Sequence, residues 1–384
     1  MFVCVGGKNN ISVDILEHLI KNNRNRYELG VVCNKSETGR NTFQKSLRYF
    51  SQRYKVKEYR LEEIYNKDQV IFLSLEFDQI LKPENFKDAR LYNVHFSLLP
   101  KYKGMYTSII PILNAEEYTG VTLHEIDSGI DTGNIIAQKK FEIKEDINSR
   151  EIYFLYMEYA TKLMLEYIED ILGNRVYGVP QAPNSSTYYP KNYIDFTKIV
   201  INLNQTADCI RRQINAYCFR EYQMPIVYNK SIIAAKVTNI KSKIKPGKIL
   251  LTDCHGIMIS TIDYNIILYF DRLEELFQAC EKGDITKVKE ICIVKEHIDV
   301  SNENGWTPLM MATYYNYKEI VKYLLLEGAD IYARDYNGAT ILMYAKEVFF
   351  KYQDRELFDK FLDLGLDIHQ CDYQGNSVEN SFCK

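Results

Sequence analysis

The C-terminal third of the chain repeats itself at intervals of 33 residues. Three leucines, three alanines and two glycines recur with this spacing: Leu276, Leu309 and Leu342; Ala279, Ala312 and Ala345; Gly305 and Gly338. A repeat of this length is one supersecondary unit that buries its apolar face only against its neighbours. Gly375 follows Gly338 by 37 residues, which indicates a four-residue insertion. We therefore predict two to three stacked repeats over 271–384.

Two segments of this unit carry the pattern of a known repeat. Gly-Trp-Thr-Pro-Leu over 305–309 and Leu-Leu-Leu-Glu-Gly-Ala-Asp over 324–330 closely resemble the ankyrin repeat, with Met310 where a histidine is usual. The repeats at either end are degenerate, as the ends of a short capped array need to be. The resemblance implies an all-α ankyrin unit.

The first half of the chain alternates strand and helix signals. The segments that carry them are 1–5, 11–20, 27–33, 43–50, 69–75 and 91–96. This alternation is typical of an α/β domain on a largely parallel sheet, which collects ligands at the carboxyl ends of its strands. A long helix is predicted over 149–172, with Asn148 or Ser149 as its cap and Gly173 at its end.

A loop with three prolines over 178–190 follows this domain. After it come one helical segment near 207–216 and five short strand signals between 225 and 270. We therefore divide the chain into an α/β domain over 1–194, a small β-rich domain over 195–270 and the repeats over 271–384.

The distribution of charge argues against a polyanionic partner. Lys and Arg balance Asp and Glu over 1–194 (25 against 25), exceed them over 195–270 (10 against 5) and fall short over 271–384 (13 against 21). A protein that embraces a long nucleic acid needs a broad basic face. Nine cysteines without a Cys-x-x-Cys pair are typical of reduced thiols, and no apolar run reaches a membrane-spanning length. We expect a cytoplasmic protein that binds neither membrane nor nucleic acid.

Asn93 and His95 lie two residues apart on a predicted strand, and Asp131 follows in a glycine-flanked loop. Residues two apart on a strand point to the same face, where a later loop carboxylate can meet both. A carboxamide can polarise a carbonyl, an imidazole can move a proton, and a carboxylate can orient the imidazole. This set suits acyl transfer to an amine. The alternative for His95 is a hydrogen-bonded core histidine.

The wider pattern resembles a known enzyme family. Asn-x-His-x-Ser-Leu-Leu-Pro over 93–100, Gly104, Gly-Val-Thr-Leu-His over 120–124 and Asp-x-x-x-Asp-Thr-Gly over 127–133 are similar to the formyltransferases that use N10-formyltetrahydrofolate. The resemblance implies a Rossmann-like formyltransferase domain, a barrel-like second domain, folate as co-substrate and no metal. A homodimer through the small domain is typical of this family.

The resemblance also assigns roles to residues. Asn93 would stabilise the oxyanion, and His95 would take the proton of the attacking amine or relay one to the departing folate nitrogen. Asp131 would hold the tautomer of His95 or bind a proton-relay water. The pterin would lie on an apolar wall after the 69–75 strand, for which the alternative is plain core. The predicted cofactor-binding residues are Leu75, Phe77, Ile80 and Asp127.

A metal site is the competing interpretation of His95, His124, Asp127 and Asp131. Their spacing matches no familiar zinc pattern, and the family needs no metal. We therefore predict no metal. His124 is expected to be a hydrogen-bonding residue at a strand end, and Asp127 to shape the loop beside the pterin.

The rest of the chain indicates the acceptor. The chain resembles the N-formyltransferases of dTDP-linked 3-amino-3,6-dideoxyhexoses in its length and in its ankyrin unit. It also resembles them in the segments 101–104, 124–127 and 217–225. The resemblance implies amine attack through a tetrahedral intermediate, on a gluco or galacto sugar destined for surface polysaccharide such as the O-antigen of lipopolysaccharide. Residues predicted to contact the nucleotide sugar, by stacking or by polar contacts to pyrophosphate, are Lys8, Asn9, Tyr102, Tyr106 and Tyr222.

Two alternatives stay open. One is a different amine, such as that of methionyl-tRNA, although the loop that carries Arg and Trp in those enzymes has no tryptophan here. The other is an ankyrin interaction protein with a folate-sensing domain, against which the intact set of Asn93, His95 and Asp131 argues.

Trp306 is the only tryptophan, and packing alone explains it because ankyrin repeats often carry one at this position. With Tyr314 and Tyr315 it could instead stack a base, as a second, regulatory nucleotide site. Ankyrin arrays more often bind proteins, so the tail is expected to bind either a small nucleotide or a protein. Its excess of acidic residues argues against a polyanion but not against one small diphosphate.

Overall fold

The computed structural model describes residues 1–23 and 26–379. The elements of the N-terminal domain are β1 (Phe2–Gly7), α1 (Asn9–Asn22), β2 (Glu28–Cys33), α2 (Leu47–Arg53), β3 (Lys57–Glu58), β4 (Val70–Leu75), β5 (Ala89–His95), β6 (Lys103–Gly104), α3 (Ile110–Leu113), β7 (Tyr118–Glu125), β8 (Ile135–Glu142), α4 (Ser149–Leu172) and β9 (Tyr188–Tyr189). The predicted α/β alternation is confirmed.

Among the described residues, seven strands form the central sheet in the order β3-β2-β1-β4-β5-β7-β8. The strands from β3 to β5 pair in parallel, whereas β7 and β8 add antiparallel strands at one side. β1 and β4 are buried along their whole length, which explains why both are continuous apolar runs. The carboxyl ends of β1, β4 and β5 consequently open at one edge of the sheet.

Helices and loops cover both faces of this sheet. On one face α1 and α4 pack in a cluster that includes Val5, Ile15 and Met164. On the other face Phe2 and Phe72 lie in a second cluster. A sheet covered on both sides is rigid, so side chains at its carboxyl edge are held by well-packed strands.

The long helix α4 begins and ends where its sequence predicts. The Asn148 side chain accepts a hydrogen bond from the Glu151 amide (2.9 Å), and the Glu151 carboxylate accepts one from the Asn148 amide (2.9 Å). This reciprocal pair satisfies two of the free amides of the first turn. Gly173 follows the last helical residue.

The small domain consists of α5 (Ala207–Tyr217), β10 (Ile226–Val227), β11 (Lys230–Lys241), β12 (Ile249–Thr252), β13 (Gly256–Ile259) and β14 (Tyr264–Phe270). These strands form an antiparallel sheet in the order β10-β11-β14-β13-β12. One side of α5 is apolar and packs on it, with Ile210 and Ile214 fully buried. All four residues of the edge strand β12 are exposed.

Three helix pairs follow in the described part of the repeat unit: α6 (Leu273–Lys282) with α7 (Ile285–Ile291), α8 (Pro308–Tyr314) with α9 (Lys318–Leu326), and α10 (Ile341–Tyr352) with α11 (Glu356–Asp363). The three leucines of the 33-residue pattern are at most 1% exposed, and its alanines at most 4%. The pattern therefore marks the shared core of the array. Residues 380–384 of the predicted repeat unit lie outside the described residues.

Candidate active site

Three neighbouring strands place polar side chains in one row at the edge of the sheet. Asn93 on β5 lies opposite Ser74 on β4 and opposite His124 on β7. The Ser74 hydroxyl donates to Asn93 Oδ1 (2.8 Å), and Asn93 Nδ2 lies 3.0 Å from His124 Nε2. The carboxamide of Asn93 is thus held on both sides, so its orientation is determined.

The ring of His124 is held in one tautomer. Its Nδ1 lies 2.7 Å from the Glu125 carbonyl oxygen, which only accepts, so Nδ1 carries the proton. Burial lowers the pKa of His124 to about 4, although the Asp131 carboxylate opposes this shift. Near neutral pH Nε2 is therefore an acceptor for one Asn93 N–H, and the second N–H of Asn93 stays available for a substrate oxygen.

His95 and Asp131 meet beside this row. His95 Nδ1 lies 3.5 Å from one oxygen of Asp131, and His124 Nε2 lies 3.7 Å from the other. His95 Nε2 lies 2.8 Å from the Tyr102 carbonyl oxygen, so this nitrogen carries a proton. The His95 ring is 8% exposed, which means that the pair is shielded from bulk water.

The loop between β7 and β8 presents Asp131 in a left-handed conformation (φ 54°). The Gly104 amide donates to Asp131 Oδ2 (2.8 Å), and the Gln181 side chain donates to the backbone carbonyl of Asp131 (2.8 Å). Gly133 allows the close return of this loop, because a Cβ there would lie 1.8 Å from the Glu125 carbonyl oxygen. Backbone and side-chain contacts therefore fix Asp131 beside His95.

Comparisons with known proteins identify the family of this chain from its sequence and from its fold. The sequence profile of the formyl transferases matches residues 2–168, and that of ankyrin repeats (three copies) matches residues 276–370. The solved structure of WlaRD, a sugar 3N-formyl transferase determined in the presence of dTDP and 5-N-formyl-THF, is 41% identical. The match covers 71% of this chain and 98% of that one, with a TM-score of 0.66.

The chain belongs to the formyltransferases. An N-formyltransferase from Helicobacter canadensis, solved in complex with folinic acid and dTDP-3-aminofucose, is also 41% identical. That match covers 70% of this chain and 99% of that one, again with a TM-score of 0.66. The predicted family and its ankyrin extension are confirmed.

Curated relatives are more distant. The methionyl-tRNA formyltransferase of Fervidobacterium nodosum is 33% identical over 163 residues, and that of Thermotoga maritima is 27% identical over 272 residues. The first match covers 42% of this chain, which spans about half (51%) of the Fervidobacterium protein. The second covers 67% of this chain and 86% of its relative.

The four residues predicted to bind the pterin in this formyltransferase differ in how far they are exposed and in their contacts. Leu75 is fully buried in the core, whereas Phe77 is half-buried against Phe72 and Ile80 is 69% exposed. Phe77 and Ile80, but not Leu75, therefore leave apolar surface beyond the end of β4. Asp127 is engaged in its own loop, where it accepts hydrogen bonds from the amide of residue 129 and from the hydroxyl of residue 132.

Three of the five predicted nucleotide-sugar residues are brought together. Lys8 faces Glu76 and Tyr222, which raise the pKa of Lys8 although burial lowers it. Asn9 donates to Glu76 (2.8 Å) and to the Tyr153 hydroxyl (3.2 Å). Tyr222 is 56% exposed at the rim of this polar cluster.

Tyr102 and Tyr106, the other two predicted residues, lie outside this polar cluster and bond to the protein itself. The Tyr102 ring is 7% exposed, and its hydroxyl donates to Glu116 (2.6 Å), so its ring is committed to the loop and only its carbonyl reaches His95. The Tyr106 hydroxyl donates to the carbonyl oxygens of Lys191 and Ile194. That Tyr102 contacts the nucleotide sugar therefore stays a prediction, although little of its surface is open.

Sequence reasoning missed Ser74, Glu76, Tyr153 and Gln181. Ser74 is separated from Asn93 by a crossover in sequence, and only the strand register reveals the pair. The family motif marks His124, but nothing in the sequence indicates its hydrogen bond to Asn93.

Within residues 1–23 and 26–379, no group of three or more His, Cys, Asp or Glu side chains could hold a metal ion. The two ring nitrogens of His124 are instead engaged with Glu125 and Asn93. In the same part of the chain, no helix combines the length and the apolar composition that crossing a bilayer requires.

The array brings its three predicted aromatic residues together. The Trp306 ring packs edge to face on Tyr314 (5.1 Å between centroids) and on Tyr344 (4.8 Å). Tyr314 in turn packs on Tyr315 (5.3 Å). We call Trp306, Tyr314, Tyr315 and Tyr344 the aromatic cluster.

Proposed function

We propose that this formyltransferase transfers the formyl group of N10-formyltetrahydrofolate to the amine of a dTDP-linked amino-dideoxyhexose. The observation that carries the proposal is the paired row of Ser74, Asn93 and His124 beside His95 and Asp131, which leaves one amide N–H free for a developing oxyanion. The dTDP ligands named for both 41%-identical structures support the acceptor class.

The chemistry follows from the side chains. The amine nitrogen attacks the formyl carbon and forms the new C–N bond, while the carbonyl oxygen becomes an oxyanion that accepts the free N–H of Asn93. Asp131 beside Nδ1 stabilises the positive charge of His95 when the amine loses its proton. The tetrahedral intermediate then collapses by breaking the bond from the formyl carbon to N10, and N10 receives from His95 the proton that the amine lost.

The donor and the acceptor are assigned to different parts of the edge. Phe77 and Ile80 offer apolar surface to a pterin beyond β4. Lys8, Asn9 and Tyr222 offer a cation, an amide and an aromatic ring to a nucleoside diphosphate. Glu76 lies between Lys8 and Asn9 and orients both.

The test is a panel of acceptors. Purified protein with the folate donor is incubated with dTDP-linked 3-amino and 4-amino sugars of gluco and galacto configuration, and mass spectrometry detects the gain of one formyl group. His95→Asn is the matched control. Formylation of a dTDP-amino sugar by the wild type alone supports the proposal, and absence of any formylated sugar contradicts it.

Methionyl-tRNA is the second candidate acceptor, because the curated relatives at 27–33% identity carry that name. Adding charged initiator tRNA to the same panel separates the two. A faster reaction with tRNA than with every sugar would replace the sugar proposal. A folate-sensing interaction protein would formylate neither acceptor.

We assign the product to bacterial surface polysaccharide such as the O-antigen of lipopolysaccharide, and its synthesis to the cytoplasm. We also propose that the enzyme is a homodimer through the small domain. The exposed edge strand β12 supports this, since Ile249, Leu250 and Leu251 are 41–57% exposed there. Leu250→Lys should convert a dimer to a monomer in sedimentation, and a wild-type monomer would contradict the assignment.

The aromatic cluster of the array is the proposed second nucleotide site. Tyr314 is 37% exposed, so part of its surface is open to a base. The packing of Trp306 between Tyr314 and Tyr344 is also what a stable repeat requires. A titration with dTDP that follows Trp306 fluorescence distinguishes nucleotide binding from packing.

A further inference from the structure

The last loop of the array lies on the catalytic domain. The ring of Tyr373 packs edge to face on Phe50 of α2, with 5.3 Å between centroids. The Tyr49 hydroxyl donates to the Tyr373 carbonyl oxygen (3.3 Å), and Lys45 Nζ lies 5.7 Å from the centre of the Tyr373 ring. The contact thus combines ring packing, a hydrogen bond and a cation.

Lys45 connects this loop to the start of α1. Its Nζ pairs with Asp14 (2.6 Å), and its backbone amide donates to the side chain of Asn10 (2.9 Å). Both Asp14 and Lys45 are partly buried, so this pair is better shielded from solvent than an exposed one.

The residue before Lys45 reaches the polar cluster at the edge of the sheet. Gln44 Nε2 donates to the Tyr153 hydroxyl (2.5 Å), and that hydroxyl donates to Glu76. Asn9 donates to the same carboxylate. Two consecutive residues therefore join Tyr373 to the side chains that surround the proposed nucleotide-sugar site.

We propose that Tyr373 is a positioning residue for the nucleotide sugar: its ring holds Lys45, and thereby Gln44, so that Tyr153, Glu76 and Asn9 stay in their binding arrangement. The identity of the ligand rests on the proposed function, whereas the contact itself does not. The array is then part of the substrate-binding machinery. Both 41%-identical structures are matched over 98–99% of their length by only 70–71% of this chain, so the array adjusts the site and does not create it.

The test uses the full chain with three variants. Tyr373→Ala removes the ring, Tyr373→Phe retains it, and Tyr332→Ala changes an array tyrosine that is 65% exposed. We expect Tyr373→Ala to raise KM for the sugar nucleotide about threefold to tenfold, with kcat and the folate KM within twofold. Tyr373→Phe and Tyr332→Ala should behave as the wild type.

A second variant tests the path without changing the array. Gln44→Ala should raise the same KM, and the double variant with Tyr373→Ala should cost less than the product of the single effects, because both changes break one path. Unchanged KM in Tyr373→Ala, or strictly independent effects of the two substitutions, would overturn the proposal. A kcat loss equal to the KM change, not restored by Tyr373→Phe, would also overturn it.

Amide hydrogen exchange separates this proposal from the assigned reaction. If no sugar is formylated by the wild type, faster exchange over residues 41–54 in Tyr373→Ala than in Tyr373→Phe still supports the positioning role. Equal exchange in these two variants would refute it whatever the substrate is.

Discussion

The active-site edge and the aromatic cluster differ in how their residues are held. At the edge, polar groups from four separate segments are buried or half-buried and linked by hydrogen bonds, as in the row from Ser74 through Asn93 to His124. In the cluster, Trp306 packs on two tyrosine rings, and the buried Tyr344 hydroxyl donates to Asp335 (2.7 Å). Hydrogen-bonded polar rows fix the orientation of each group, whereas ring faces tolerate several, so the edge is the better candidate for a reaction centre.

The largest expected effect separates the edge from the array as a whole. His95→Asn removes the group that we propose to move the proton and should lower kcat about 10²–10⁴-fold. Tyr332→Ala in the array should leave kcat within twofold. Steady-state assays with matched thermal midpoints check this, and retention of activity within tenfold in His95→Asn would remove His95 from the mechanism.

Two buried histidines sharpen the comparison, because one lies at the edge of the sheet and the other lies in the array. His124→Phe leaves the Asn93 carboxamide without its partner and should lower kcat about 10-fold to 100-fold, since a misoriented donor is less costly than a missing one. His297 lies at the start of the array, where its Nε2 accepts from the Arg272 amide (3.0 Å). His297→Phe should therefore lower stability but not kcat, and an equal kcat loss in both variants would contradict the assigned roles.

The same two residues make stability depend on pH. Burial lowers the pKa of His124 and of His297 to about 4, below the value of about 6.5 in an unfolded chain. The unfolded state therefore binds the extra proton first, so the stability of the fold is complete above pH about 6.5 and declines as the pH falls to about 4.

Urea unfolding between pH 4.5 and 7.5 measures this decline. Each residue contributes up to about 1.4 kcal/mol per pH unit within the window. His297→Phe and His124→Phe should each flatten the dependence, and an unchanged slope in either variant would refute the assigned burial effect for that histidine.

The smallest expected effect concerns the aromatic cluster. Trp306 is the only tryptophan, so its fluorescence reports on the array alone. We expect dTDP to change this emission saturably and Tyr314→Ala to weaken the response about threefold or more, since one stacking surface is removed. Emission that stays constant to millimolar dTDP would leave packing as the role of the cluster.

Much of the architecture could be predicted because helix caps, terminal glycines and repeat spacing depend on residues that are close in sequence. The bounds of α4 follow from the Asn148 cap and from Gly173, and the 33-residue leucines mark the buried core of the array. Asn93 and His95 could be paired from their spacing on one strand. The surroundings of Tyr102 could not be predicted, because its hydroxyl donates to Glu116 from a later segment.

The sequence by itself determined the α/β alternation, the repeat unit and the proposed reactive set of Asn93, His95 and Asp131, since period, spacing and motif are properties of neighbouring residues. Only the tertiary structure decided that one N–H of Asn93 is free, that His124 is its neutral partner, and that Tyr373 reaches Lys45. These depend on strand register and domain packing, where residues far apart in the chain meet and burial sets their protonation.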